Sequence, residues 1–131
     1  GADLWACGCL LAALYTGVRL FSVHGDAEHL AVMERVLDEK IPRDMALRTS
    51  ARILARNVSF DNEGRLHWPG ASSAEAVERV SRVPSLRSQI FARHSDFHCL
   101  LVGLLKMNPQ ERLSAAGARK NCFMECARVL E

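Results

Sequence analysis

No sign of charge dominates this sequence, no apolar run is long enough to cross a bilayer, and no tract is repetitive or biased in composition. Each absence closes a class of explanation. Seventeen Lys and Arg against fifteen Asp and Glu leave a net charge of +2, too small for a surface-wide field that would grip nucleic acid. The longest uncharged stretch, Leu4 to Val18, is 15 residues with two glycines, short of the roughly 20 that a spanning helix requires. It lacks the basic leader of a signal peptide, and Trp5 stands where a myristoylation motif on Gly1 wants Ser or Thr. Five cysteines, Cys7, Cys9, Cys99, Cys122 and Cys126, are an odd set that fits a reduced intracellular protein, nuclear or cytoplasmic, better than a disulfide framework. What is present is 131 residues at 49% hydrophobic, enough for one ordinary domain with its own core. A start at Gly1 without Met is expected of a fragment.

The pattern along the chain is helical. Asp3 is placed to cap a helix from Leu4 to about Thr16, apolar on every side and closed by Gly17. Such a helix belongs in the centre of a domain, so the residues after Gly17 either surround it or leave it partly bare. Asp26 is placed to cap a second helix, with Leu30, Met33 and Leu37 on one face and Glu34 and Arg35 elsewhere, stopped by Lys40-Ile41-Pro42. The alternation Val58-Ser59-Phe60, followed by Asp61-Asn62-Glu63-Gly64 and Arg65-Leu66-His67-Trp68, predicts a small hairpin.

Ser72-Ser73-Ala74-Glu75 has capping-box spacing, and the pairs Glu75–Arg79 and Glu78–Arg82 favour a short surface helix to about Arg82, ended by Val83-Pro84. Ser95 is placed to cap a stronger helix, Asp96 to Met107, with Phe97, Leu100, Leu101, Leu104 and Leu105 in one stripe. Asn108-Pro109 ends it with a tight loop carrying Arg112. Ser114 is placed to cap a last helix running through Phe123 and Cys126 to the C-terminus, weakened by Gly117. With no linker in sight, the expectation is one mainly α unit with a small hairpin-like insert.

Three stretches carry a resemblance. Asp3-Leu4-Trp5-Ala6-Cys7-Gly8, Glu28-His29-Leu30-Ala31-Val32-Met33-Glu34-Arg35 and Asn108-Pro109-Gln110-Glu111-Arg112 together resemble the second half of a protein kinase large lobe. The middle stretch differs by one residue, Val32 for Met, from the signature of the LAMMER-type (CLK) kinases. Arg65-Leu66-His67-Trp68 with Ser72-Ser73-Ala74 is similar to a segment of that subfamily too. Departures stand beside the likeness: Asn108 for a usual Asp, Asn121-Cys122-Phe123-Met124 where many members read H-P-F-F, and Ser22 for a frequent Pro.

The resemblance implies that Asp3, Trp5 and Gly8 belong to the central helix that anchors the catalytic loop, and that Arg112 pairs with a glutamate of the activation segment. A guanidinium suits such a bidentate pair. Since that glutamate would precede Gly1, Arg112 is expected to be orphaned here. Phosphoryl transfer needs a glycine-rich loop, a strand lysine, H-R-D-x-x-x-x-N and D-F-G. None occurs in this sequence, so no catalytic, ATP-binding or metal residue is assigned. The expectation is a partial kinase domain over residues 1–131 that lacks the small lobe, catalytic loop and activation segment. ATP and Mg would belong to the intact domain.

Read without the resemblance, Asp3 is an N-cap, Arg112 a loop arginine, and residues 28–37 an amphipathic helix with its Glu and Arg on the wet side. Arg48, Arg52 and Arg56 recur at i, i+4 and i+8. On one helix they would form a basic stripe able to dock phosphates or acidic segments, although a solvated face with Ile53 and Leu54 packing explains them too. His94 and His98, beside Cys99, and Cys122 with Cys126 could each offer two ligands to zinc on a helical face. A Cys nucleophile in the first helix is disfavoured by its apolar setting. Three functions follow: a C-terminal portion of a LAMMER-type serine/threonine or dual-specificity kinase acting on Arg/Ser-rich RNA-processing proteins, a stand-alone non-catalytic interaction module or pseudokinase remnant, or a small zinc- or nucleic-acid-binding helical domain.

Overall fold

The structure, a computed structural model, describes residues 2–22, 25–54, 56–70 and 72–128, the last three of these without their side chains. Nine α-helices lie among them: α1 Ala2–Thr16, α2 Asp26–Leu37, α3 Arg43–Leu47, α4 Ala51–Leu54, α5 Ala74–Arg82, α6 Leu86–Gln89, α7 Ser95–Leu104, α8 Ala115–Arg119 and α9 Cys122–Arg128. A short 3-10 turn, Ala92–His94, precedes α7. The short α3, α4 and α6 leave too few turns for a periodic pattern, and sequence reasoning passed over them.

The described chain divides into two compact units, one from Gly1–Leu20 with Leu86–Glu131 and one from Phe21–Ser85. No change of composition marks the division. In the first unit α1 packs on α7, and α7 on α8 and α9. Its core is the predicted stripe: Phe97, Leu100, Leu101, Leu104 and Leu105 are all buried, joined by Leu86, Ile90, Met107 and Ala12. Fully burying a leucine such as Leu101 contributes about 1.5–3 kcal/mol. α7 ends at Leu104 and not Met107, and His94 precedes it without a side-chain cap, so Ser95 lies inside the helix.

α1 begins at Ala2, two residues earlier than expected, which puts Asp3 in its first turn. Gly17 closes it as expected, at φ +77° with its N–H donating to Ala13 O at 2.8 Å. Only Gly8 and Ala12 of α1 are buried, and Leu14 is 74% exposed. The helix is therefore partly bare. Ser114 caps α8, accepting from Gly117 N at 3.0 Å, but the last helix is two helices. Asn121 interrupts it: its side chain accepts from Phe123 N at 3.1 Å and its carbonyl from Met124 N and Glu125 N, starting α9 anew. Its predicted run beyond Arg128 lies outside the described residues.

In the second unit α2 packs on α5 over Ala31, Val32, Val36, Ala76 and Val80, with Ala46 and Val58 also buried. The hairpin forms as one antiparallel bridge, Phe60 with Leu66. Asp61 organises it, its Oδ1 accepting from Glu63 N and Arg65 N at 2.9 Å each, while Gly64 supplies φ +78°, a left-handed turn that glycine adopts without strain.

Candidate functional site

The signature helix α2 does not bury the face that its leucines suggest. Leu30, Met33 and Leu37 are half-buried, whereas Ala31, Val32, Val36 and Glu28 are buried. Nor does Asp26 cap it: Gly25 holds the cap position without a side-chain bond, and Asp26 instead pairs with Arg56 at 2.7 Å. Glu28 was expected on the wet side; at 7% exposure it needs a partner, because a buried charge without one is costly.

Arg79 of α5 supplies it, with Nε 2.9 Å from Oε1 and Nη2 3.0 Å from Oε2 of Glu28. This is the fork-on-fork geometry in which guanidinium and carboxylate match. The Glu28 hydrogen bond raises the Arg79 pKa, with the charge of Glu28 acting the same way. Arg79 was assigned to Glu75, one turn back on its own helix; the partner 51 residues away leaves no periodic signal.

The other charged signature residues bind other segments. Glu34 accepts from Ile41 N at 3.1 Å and pairs with Lys40 at 2.7 Å, holding the turn after α2. Arg35 Nε donates to Val83 O at 2.8 Å, the residue that ends α5. The His29 ring lies 6.1 Å from that of Phe21. α5 is capped by Ser73 Oγ, which accepts from Ala76 N at 3.2 Å, so the cap falls one residue after Ser72. The pair Glu78–Arg82 forms as expected. A cleft of about 420 Å³ opens beside Glu34, Arg35, Lys40 and Trp68, and another of about 510 Å³ beside Asp26, Glu28, Arg56, Ser72 and Arg79.

In the first unit, Trp5, Gly8 and Arg112 come together around α1 and α7. A Cβ on Gly8 would lie 2.9 Å from Leu105 Cδ2 and 3.1 Å from Leu104 Cβ, so the helices approach at a point where only glycine fits. Arg112 is not orphaned. Its guanidinium stands 5.0 Å from the Trp5 ring centre, within the range of a cation–π contact, and donates to Lys106 O at 2.9 Å and Met107 O at 3.2 Å. These carbonyls lie in the turn that follows α7, so Arg112 ties that turn to Trp5 of α1. Asn108 shapes the loop by accepting from Gln110 N and donating to Glu111.

The three arginines do not form a stripe. Arg48 follows α3 and pairs with Asp44, Arg52 sits on α4, and Arg56 lies beyond it on Asp26. A break between α3 and α4 rules out a shared helical face. Among the described residues no three of His, Cys, Asp and Glu form a group able to hold a metal; His94 Nδ1 is 2.6 Å from the Tyr15 hydroxyl, and the Cys126 side chain lies outside the described residues. Tyr15 also accepts from Phe91 N at 3.2 Å and stacks on Phe97 at 5.1 Å, a tie that sequence reasoning missed. Burial raises the Cys9 pKa, as expected of its apolar helix. No described helix is long and apolar enough to cross a membrane.

No family model matches the chain. The serine/threonine-protein kinase AFC3 of Arabidopsis thaliana is 39% identical over 129 residues, 94% of this chain and 31% of that protein. The dual specificity protein kinase CLK2 of Mus musculus is 33% identical over 130 residues, 97% of this chain and 24% of that protein. A crystallised kinase domain matches with TM-score 0.79 at 34% identity, covering 93% of this chain and 35% of the other. Along nearly its whole length the chain matches a C-terminal portion of LAMMER-type protein kinases. Its helices are those of the C-terminal part of the kinase large lobe, and it spans about a third or less of the length of the curated relatives it matches. Within this LAMMER-like portion, then, the signature helix is a structural clasp whose charged residues reach α5 and the turn after α2.

Proposed function

We propose that this chain is the C-terminal scaffold of a LAMMER-type kinase which, with its upstream half, transfers the γ-phosphoryl of ATP to serine or threonine, and in the dual-specificity form tyrosine, of RNA-processing proteins rich in Arg and Ser. The residues present do not fit ATP and Mg: the sequence has no glycine-rich cradle, and no metal-holding group occurs among the described residues. No step of phosphoryl transfer is therefore assigned to this chain. Its contribution is support. Asp3 and Trp5 would brace the catalytic loop, Arg112 the activation segment, and residues 42–84 would present a docking surface with Arg48, Arg52 and Arg56 at its edge. The reading places the protein in the nucleus or cytoplasm.

The single observation that carries it is the Glu28–Arg79 clasp on a signature helix in a chain that matches LAMMER-type kinases over 94% of its length. The bareness of Leu10, Leu14 and Val18 on and just after α1 agrees with an upstream half that covers them. The test recovers the native protein from its source cells with an antibody to residues 61–84 and measures its length and kinase activity. A product about three times longer, as the 31% share implies, with ATP-dependent activity supports the proposal. A product of 131 residues with no activity means a stand-alone interaction module instead.

A further inference from the structure

One cluster of reactive groups plays no part in the scaffold. Cys99 on α7 and Cys122 on α9 are both exposed, and their helices pack on each other, pinned by the Phe97 and Phe123 rings 5.2 Å apart. The Asn121 carboxamide stands between the thiols, with Nδ2 3.9 Å from Cys99 Sγ and Oδ1 3.7 Å from Cys122 Sγ. The short span of an amide group keeps the two sulfurs within about 10 Å. Cys99 is near enough to act electrostatically on the Cys122 thiol. Because Asn121 starts α9, Cys122 is held at the first turn of a seven-residue helix, and a bond between the sulfurs requires that helix to move toward α7. Disulfides need Cβ atoms about 4 Å apart.

We propose that Cys99 and Cys122 form a reversible dithiol–disulfide site that fastens α9 to α7 when a peroxide is present. The Cys99 thiolate attacks a peroxide oxygen, the O–O bond breaks, and Cys99 becomes a sulfenic acid as water leaves. The Cys122 sulfur then attacks the Cys99 sulfur, the S–O bond breaks, and the thiol proton leaves with hydroxide as a second water. Two thiols are oxidised and one hydrogen peroxide is reduced to two waters; a small thiol such as glutathione reverses the bridge. Local desolvation and then the nearby Asp96 carboxylate raise the Cys122 pKa.

The test treats the 131-residue protein with hydrogen peroxide, blocks free thiols with N-ethylmaleimide and maps tryptic peptides without reduction. Peptide 94–106, which carries Cys99, should be joined to peptide 121–128, which carries Cys122 and Cys126. The link should persist in Cys126→Ser, vanish in Cys122→Ser and Cys99→Ser, and open with glutathione. In guanidinium its preference over other thiol pairs should be lost. Absence of the link in the native protein, its survival in Cys122→Ser, or an equal yield in guanidinium would overturn the proposal.

Discussion

The two units of this chain are held by different physics. The first closes on apolar and aromatic packing, with Leu101 and Leu105 at its centre, Gly8 letting α1 reach α7, and Tyr15 stacked on Phe97. The second has smaller core residues, Ala31, Val32, Val36, Ala76 and Val80, and relies on directed polar bonds from its signature helix. Packing tolerates many apolar sequences of the right volume, whereas a fork-on-fork pair tolerates few. That is a physical reason for a charged signature to sit in the second unit and not the first.

The comparison can be broken first in the leucine core. Leu101→Ala should cost about 3 kcal/mol, within the range for emptied leucine sites, and urea unfolding followed by the aromatic signals of Tyr15 and Phe97 should register it. A loss under about 1 kcal/mol would mean that the first unit does not depend on this packing. Gly8→Ala should follow at about 1–3 kcal/mol, because its Cβ meets Leu105 with nowhere to go. In the second unit Ser73→Ala should remove about 1 kcal/mol by uncapping α5, read as faster amide exchange at Ala76.

Smaller still is an acid effect on the hairpin. The backbone N–H of Arg65, aided by Glu63, Gly64 and the Arg65 charge, holds the Asp61 pKa below its ordinary 3.8. A depressed carboxylate stabilises the fold fully above its unfolded pKa and loses that contribution as pH falls through the lower folded value. The Phe60–Leu66 bridge should therefore weaken in NMR titrations below about pH 4, and Asp61→Asn should flatten the curve. Least of all, Asp44→Asn should change stability by under about 0.5 kcal/mol, since its bond to Arg48 is exposed on both sides and such pairs contribute little.

Legibility in the sequence follows the same division. The α7 stripe could be read from periodicity because one face of a helix met one core. Gly17, the hairpin and the end of α5 were legible because local backbone chemistry fixes them. The buried face of α2 was not, since Ala31 and Val32 are less apolar than the leucines beside them and Glu28 looks like a surface residue until Arg79 is in place. The contacts of Arg112 were hidden too, because the backbone carbonyls of a turn carry no side-chain signature. Residue identity pointed to the family; only the packing of α2 on α5 gave the signature a mechanical role.

The decisive measurement is amide hydrogen exchange across α2 and α5 in Glu28→Arg, Arg79→Glu and the double swap. If the signature helix clasps its unit through this pair, each single variant loses protection in both helices and the double swap recovers much of it. Unchanged protection in the single variants, or losses that simply add in the double, would contradict the clasp.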